Sequence, residues 1–101
     1  MPLELLVGSA RFRLEEEEAW DLVHRIRARC VDDDHRPLNA DALRCLQLAD
    51  VLADNLESVD RPAPIGLDQA HARALTDHIL TPSLMVTDEL RALSDALVRF
   101  R

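Results

Sequence analysis

Leu3-Glu4-Leu5-Leu6-Val7-Gly8-Ser9-Ala10-Arg11-Phe12-Arg13-Leu14 reads with a period of two. Leu3, Leu5 and Val7 alternate with Glu4 and Leu6, and Phe12 and Leu14 alternate with Arg11 and Arg13. Alternation sends successive side chains to opposite faces, the pattern of a strand packed on one side. Gly8-Ser9 supplies a two-residue turn in which Gly can take positive φ. The stretch therefore predicts a β-hairpin over 3–14. Two strands alone are marginal in water, so helices elsewhere must cover one face.

Beyond Leu14 the period changes to that of a helix. Ala19, Leu22, Val23, Ile26 and Cys30 share one stripe of a helix from about Glu15 to Cys30, and Glu15–Glu18 meet its positive dipole end. Val31-Asp32-Asp33-Asp34-His35-Arg36-Pro37 breaks it, and Asn39 is placed to cap a second helix, 40–56. That helix carries Leu43, Leu46, Ala49, Ala53 and Leu56, widened by Cys45, Leu48, Val51 and Leu52, and leaves Asp41, Arg44, Gln47, Asp50 and Asp54 as a narrow polar strip. Arg61-Pro62-Ala63-Pro64 reads as an extended connector. A third helix follows from about Asp68 to Leu80, with Ala72, Leu75 and Ile79 inward. The fourth runs from Thr87 to Phe100, with Leu90, Leu93, Leu97 and Phe100 as its seam. Arg99 and Arg101, beyond that seam, read as dispensable.

The expected fold is mainly α: four helices as two α-hairpins, with a short N-terminal β-hairpin over one end. One domain spans 1–101, as 3–14 β-hairpin, 15–56 first helical hairpin, 62–66 Pro-containing connector and 67–100 second helical hairpin. The halves also echo each other. Leu14, Ala19, Leu22 and Ile26 recur at an interval of 53 as Leu67, Ala72, Leu75 and Ile79. Asp41, Leu43, Arg44, Leu46 and Ala49 recur at 47 as Asp88, Leu90, Arg91, Leu93 and Ala96. An internal duplication about a pseudo-twofold axis is one reading, with the pieces at Phe12 and Ile65 pairing as strands. The helical period alone, imposed on a chain rich in Ala and Leu, is the other.

Composition excludes several function classes. Against 19 acidic residues stand 12 basic ones, all Arg, for a net charge of −7. Such a surface repels a polyphosphate, so no nucleic-acid partner is expected. No apolar run is long enough to cross a membrane, and the start at Met1-Pro2-Leu3-Glu4 does not read as a signal peptide, so a cytoplasmic protein is expected. The absence of Lys and Tyr and the excess of Arg, Ala, Leu, Asp and Val are the skew of a GC-rich coding sequence, as in many bacteria.

No motif for catalysis or cofactor binding emerges. Ser9, Ser58, Ser83 and Ser94 lack the glycine setting of a nucleophile elbow, and two glycines cannot make a phosphate-cradling loop. Cys30 and Cys45 sit on apolar stripes and read as reduced core residues. His71 and His78, seven apart, would share a helix edge but lack further ligands. Asp32, Asp34 and His35 could face a hard cation, although the loop lacks the Ca²⁺-loop glycine and distal glutamate. The reading is thus non-enzymatic, without metal or cofactor.

Interaction residues are more readily named. Trp20 lies off the inward stripe of the first helix, with His24 and Arg27 beyond it, and Trp and Arg are enriched where binding energy concentrates. On the second helix, Leu48, Val51 and Leu52 belong to an apolar face broader than one core needs. The expected partner is a second copy of the chain, giving a homodimer. The alternative is a basic protein, such as a toxin neutralised by Glu15–Glu18 and Asp32–Asp34 in the manner of an immunity protein or antitoxin.

Overall fold

A computed structural model describes residues 3–58, 64–80 and 87–101. The hairpin forms as expected: β1 (Leu3–Val7) and β2 (Ala10–Leu14) pair antiparallel, from Leu3 opposite Leu14 to Val7 opposite Ala10. Gly8 turns the chain at φ 59°, a conformation costly for a residue with a Cβ. The rest of the architecture corrects the expected one. Ile65–Leu67, within and just beyond the segment read as a connector, forms β3 and pairs parallel to β1, giving a mixed sheet of order β2-β1-β3. Ile65 does not pair with Phe12. Both flank Leu5 of the central strand.

The helices are α1 (Glu16–Arg29), α2 (Ala40–Glu57), α3 (Gln69–Ala74, continuing as a π-turn over Leu75–Ile79) and α4 (Asp88–Phe100). They do not sort into two separate hairpins. α2 packs on both α1 and α3, while α4 packs on α3 and lies against β2 and β1. Sheet and helices share one core that includes Leu3, Leu5, Leu14, Ile26, Leu52, Leu75, Ile79 and Leu93. The outer face of the sheet carries Glu4, Arg11 and Arg13 around half-exposed Leu6, with Arg11 3.8 Å from the Glu4 carboxylate.

The echo between the halves at an interval of 47 is out of register in the structure. Leu14, Ala19, Leu22 and Ile26 are buried like Leu67, Ala72, Leu75 and Ile79, as any inward helical stripe would be. At the interval of 47, however, Leu43 is exposed where Leu90 is buried. The N-caps Asn39 and Thr87 stand 48 apart, one residue out of step. Among the described residues the second half has one strand where the first has two.

The helix starts are fixed by side chains. Asn39 accepts the Ala42 N–H at 2.8 Å, Asp68 accepts that of His71 at 2.9 Å, and Thr87 Oγ1 accepts that of Leu90 at 3.2 Å. Glu18 joins two starts. Its Oε1 accepts the Glu15 N–H at 3.3 Å and its Oε2 accepts the Thr87 hydroxyl at 2.7 Å, tying α1 to α4. Glu89, in the first turn of α4, accepts the outward N–H of Arg13 at 3.0 Å and so blocks part of the β2 edge. Glu18→Ala should cost about 1 kcal/mol, the usual worth of a cap, with a matching fall in urea midpoint. An unchanged midpoint would show that α4 does not depend on this link.

The π-turn has a local cause. Thr76 Oγ1 donates to the Ala72 carbonyl at 2.8 Å, a side-chain bond that competes with the helical ladder, and Leu80 N–H reaches back five residues to Leu75 at 2.7 Å. His78 lies within this wider turn and His71 in the α-helical part before it.

Candidate functional site

The residues singled out from sequence do not converge on one site. Trp20 is half-buried at the margin of the core and stacks on His24, ring centroids 6.0 Å apart and planes 25° from parallel. Arg27 turns away from them to α2, its guanidinium donating to Asp50 Oδ1 at 3.2 Å. Leu48 and Leu52 are inside the core, together with Ala42, Cys45, Ala49 and Ala53. Most of the broad apolar face of α2 is therefore already covered within the chain. What stays outside is Val51 (46% exposed) and Leu43 (46%), with Leu38 (45%) just before the helix; among the described residues the fourth exposed large apolar residue is Val98 of α4. Leu38 and Leu43 hold the N′ and N4 positions around the Asn39 cap, the pair that packs in a hydrophobic staple.

The polar strip of α2 is largely a set of interhelical ties. Asp41 accepts two hydrogen bonds from Arg73 of α3, at 2.9 and 3.1 Å. Arg44 pairs with Asp68 at the start of α3, and Asp50 with Arg27 of α1. Sequence spacing showed these residues only as a narrow polar strip, because partners on other helices leave no periodic signal.

At the α2–α3 junction the titrating groups are shifted by their neighbours. The hydrogen bonds from Arg73 hold the Asp41 carboxyl below its ordinary range. At Asp68 desolvation works upward but is outweighed by the His71 N–H and Arg44, leaving the carboxyl low. Burial lowers His71, against the pull of the Asp68 carboxylate. All three groups bind protons more weakly in the folded chain than in the unfolded one. Their stabilising contributions are therefore complete above the unfolded values and fade as pH falls, first below about 6.5 through His71, then below about 4 through the carboxyls. The urea midpoint should drop between pH 7.5 and 5.0, and His71→Gln should flatten that drop. An equal drop in the variant would assign it elsewhere.

The acidic loop is engaged with itself. Asp32 Oδ1 accepts the N–H groups of Asp34 at 2.9 Å and Arg36 at 3.0 Å, and His35 adopts φ 62°. Val31 and Pro37 form an antiparallel bridge. Among the described residues no three His, Cys, Asp or Glu side chains gather as metal ligands. An open groove of about 330 Å³ between the β1–β2 turn and the end of α4 is lined by Val7, Gly8, Ala10, Ala96, Arg99 and Phe100. It brings one cation beside apolar surface and no acid–base pair. The Arg101 guanidinium donates to Thr76 Oγ1 at 2.9 Å and Asp77 Oδ1 at 2.8 Å, tying the end of α4 to the π-turn. No helix among the described residues is long and apolar enough to cross a membrane. Compared with protein-family models, curated proteins and solved structures, the chain matches none.

Proposed function

We propose that this chain is a small, non-enzymatic interaction or regulatory domain that associates with a second copy of itself through the outer face of α2. It would work in the cytoplasm, where free thiols such as Cys30 and Cys45 persist. The observation that carries the reading is the distribution of exposed large apolar side chains. Among the described residues three of the four, Leu38, Leu43 and Val51, lie on α2 or at its start. The strip is also self-complementary. Laid antiparallel about Gln47, two copies of α2 set Leu43 against the partner's Val51 and Arg44 near the partner's Asp50, and each contact occurs twice, as a twofold interface requires. The non-catalytic part of the reading is supported by what the polar groups do: Asp41 and Arg44 of α2 tie to Arg73 and Asp68 of α3, and Asp68 caps that helix at His71.

A helix-on-helix contact of this kind falls at the small end of specific interfaces, so micromolar affinity is expected. The basic-protein alternative gains less support. Exposed Glu15–Glu17 and Asp32–Asp34 lie at opposite ends of α1, about 20 Å apart at 1.5 Å per residue, and so form no single acidic patch. Light scattering across the micromolar range should show the mass rising from 11.4 kDa toward twice that value, with little sensitivity to salt. A constant 11.4 kDa would refute self-association.

A further inference from the structure

The sheet ends on β2, and the edge of that strand is open at Arg11. In an antiparallel pair, residues alternately turn their N–H and C=O groups toward the partner strand and away from it. The outward N–H of Arg13 goes to Glu89, so two residues earlier Arg11 also turns both groups away from β1. Among the described residues nothing pairs with them. The Arg11 and Arg13 side chains are exposed on the outer face, and Ala10 and Phe12, on the other face, are half-buried. The groove of about 330 Å³ lies along this same edge, with Ala10 and the Gly8-Ser9 turn on one side and Ala96, Arg99 and Phe100 on the other. Charge is also concentrated here against the trend of the chain, which is −7 overall. Among the described residues Arg13 and Arg99 have no ion-pair partner, and Arg11 has only the Glu4 carboxylate, at 3.8 Å.

We propose that the β2 edge takes an extended acidic peptide of another protein as an added strand, with carboxylates over Arg11 and Arg13 and apolar side chains in the groove. Strand addition draws affinity from backbone hydrogen bonds and specificity from alternate side chains. The peptide residue opposite Arg11 exchanges two backbone hydrogen bonds with it and projects its side chain on the same outer face. A glutamate there meets the Arg11 guanidinium in a charge-assisted contact, and a second, two residues away, meets that of Arg13. The residues between point the other way, toward Ala10, Phe12 and the groove, and are therefore apolar. The recognised pattern is an alternation of acidic and apolar residues. A second copy of the chain is a poor occupant, because two β2 edges laid antiparallel set arginine against arginine. Glu89 limits the length of the pairing, since it already holds the Arg13 N–H, and so centres it on Arg11. A contact this short belongs with weak, transient interfaces, and micromolar affinity is expected. The site uses no residue of α2 and goes beyond the self-association proposed there.

The test is fluorescence anisotropy of a labelled, blocked peptide of alternating glutamate and valine, titrated with the full chain, followed by amide hydrogen exchange on the complex. Saturable binding is expected in the micromolar range, weakening as salt is raised. The same peptide with lysine for glutamate should not bind, and Arg11→Glu should weaken binding of the glutamate peptide by about tenfold or more. In the complex the Arg11 amide should exchange severalfold more slowly, while that of Arg13, already held by Glu89, should change little. No binding of the glutamate peptide, equal binding of the lysine peptide or of inorganic polyphosphate, or binding that leaves the Arg11 amide exchanging as in the free chain would each overturn the proposal. The amide measurement uses the unaltered chain and decides the matter even if Arg11→Glu folds poorly. Self-association is read separately, by light scattering without peptide, so either proposal can fail alone.

Discussion

Leu93→Ala is expected to destabilise the chain by about 2–5 kcal/mol, a large share of the 5–15 kcal/mol that holds an ordinary domain together. Leu93 is fully buried, with Leu90 and Leu97 beside it on the inward face of α4. That helix runs from Asp88 to Phe100. Three contacts hold it: Thr87 to Glu18 and Glu89 to the Arg13 N–H at its start, and Arg101 to the π-turn at its end. The Arg101 pair is exposed, and exposed pairs contribute about 0–1 kcal/mol, so Arg101→Ala should have a far smaller effect than Leu93→Ala. Urea denaturation of both variants checks the ranking. A Leu93→Ala chain that melts within a degree or two of its parent would mean that α4 is not part of the core.

The second large effect is expected on association. Placing a carboxylate at both Leu43 and Val51 should weaken the dimer at least tenfold, since each copy would then desolvate two unpaired charges against its partner. Both side chains are about half exposed in the single chain, so Leu43→Glu with Val51→Glu should leave most of its stability intact. Loss of association together with loss of folding would implicate the staple around Asn39 instead, and Val51→Glu alone separates the two cases, because Val51 lies outside the staple.

Much of the local structure was legible in the chain. The Gly8-Ser9 turn, the Asn39 cap and the inward stripes of α1 and α4 follow from period and capping chemistry, and they appear where the spacing puts them. What was not legible depends on partners distant in sequence. Three residues of β3 are too few to show a period, and the prolines before them read as a connector. Only the parallel pairing with β1 makes Ile65–Leu67 a strand. Likewise the apolar residues of α2 overstate its free surface, because the composition of one helix does not reveal how many neighbours cover it. Leu48 and Leu52 are core, while Val51, between them in sequence, is exposed. The Asp41–Arg73 pair was invisible for the same reason.

The most direct test of self-association through α2 is a symmetric cross-link at the proposed axis. Gln47 is exposed on the outer face of α2, and an antiparallel pairing about it brings the two copies of that residue together. Gln47→Cys should form a disulfide-linked dimer on mild oxidation at micromolar concentration, whereas Asp95→Cys, exposed on α4, should not. Equal cross-linking of the two variants, or none at Gln47→Cys, would contradict an interface built on α2.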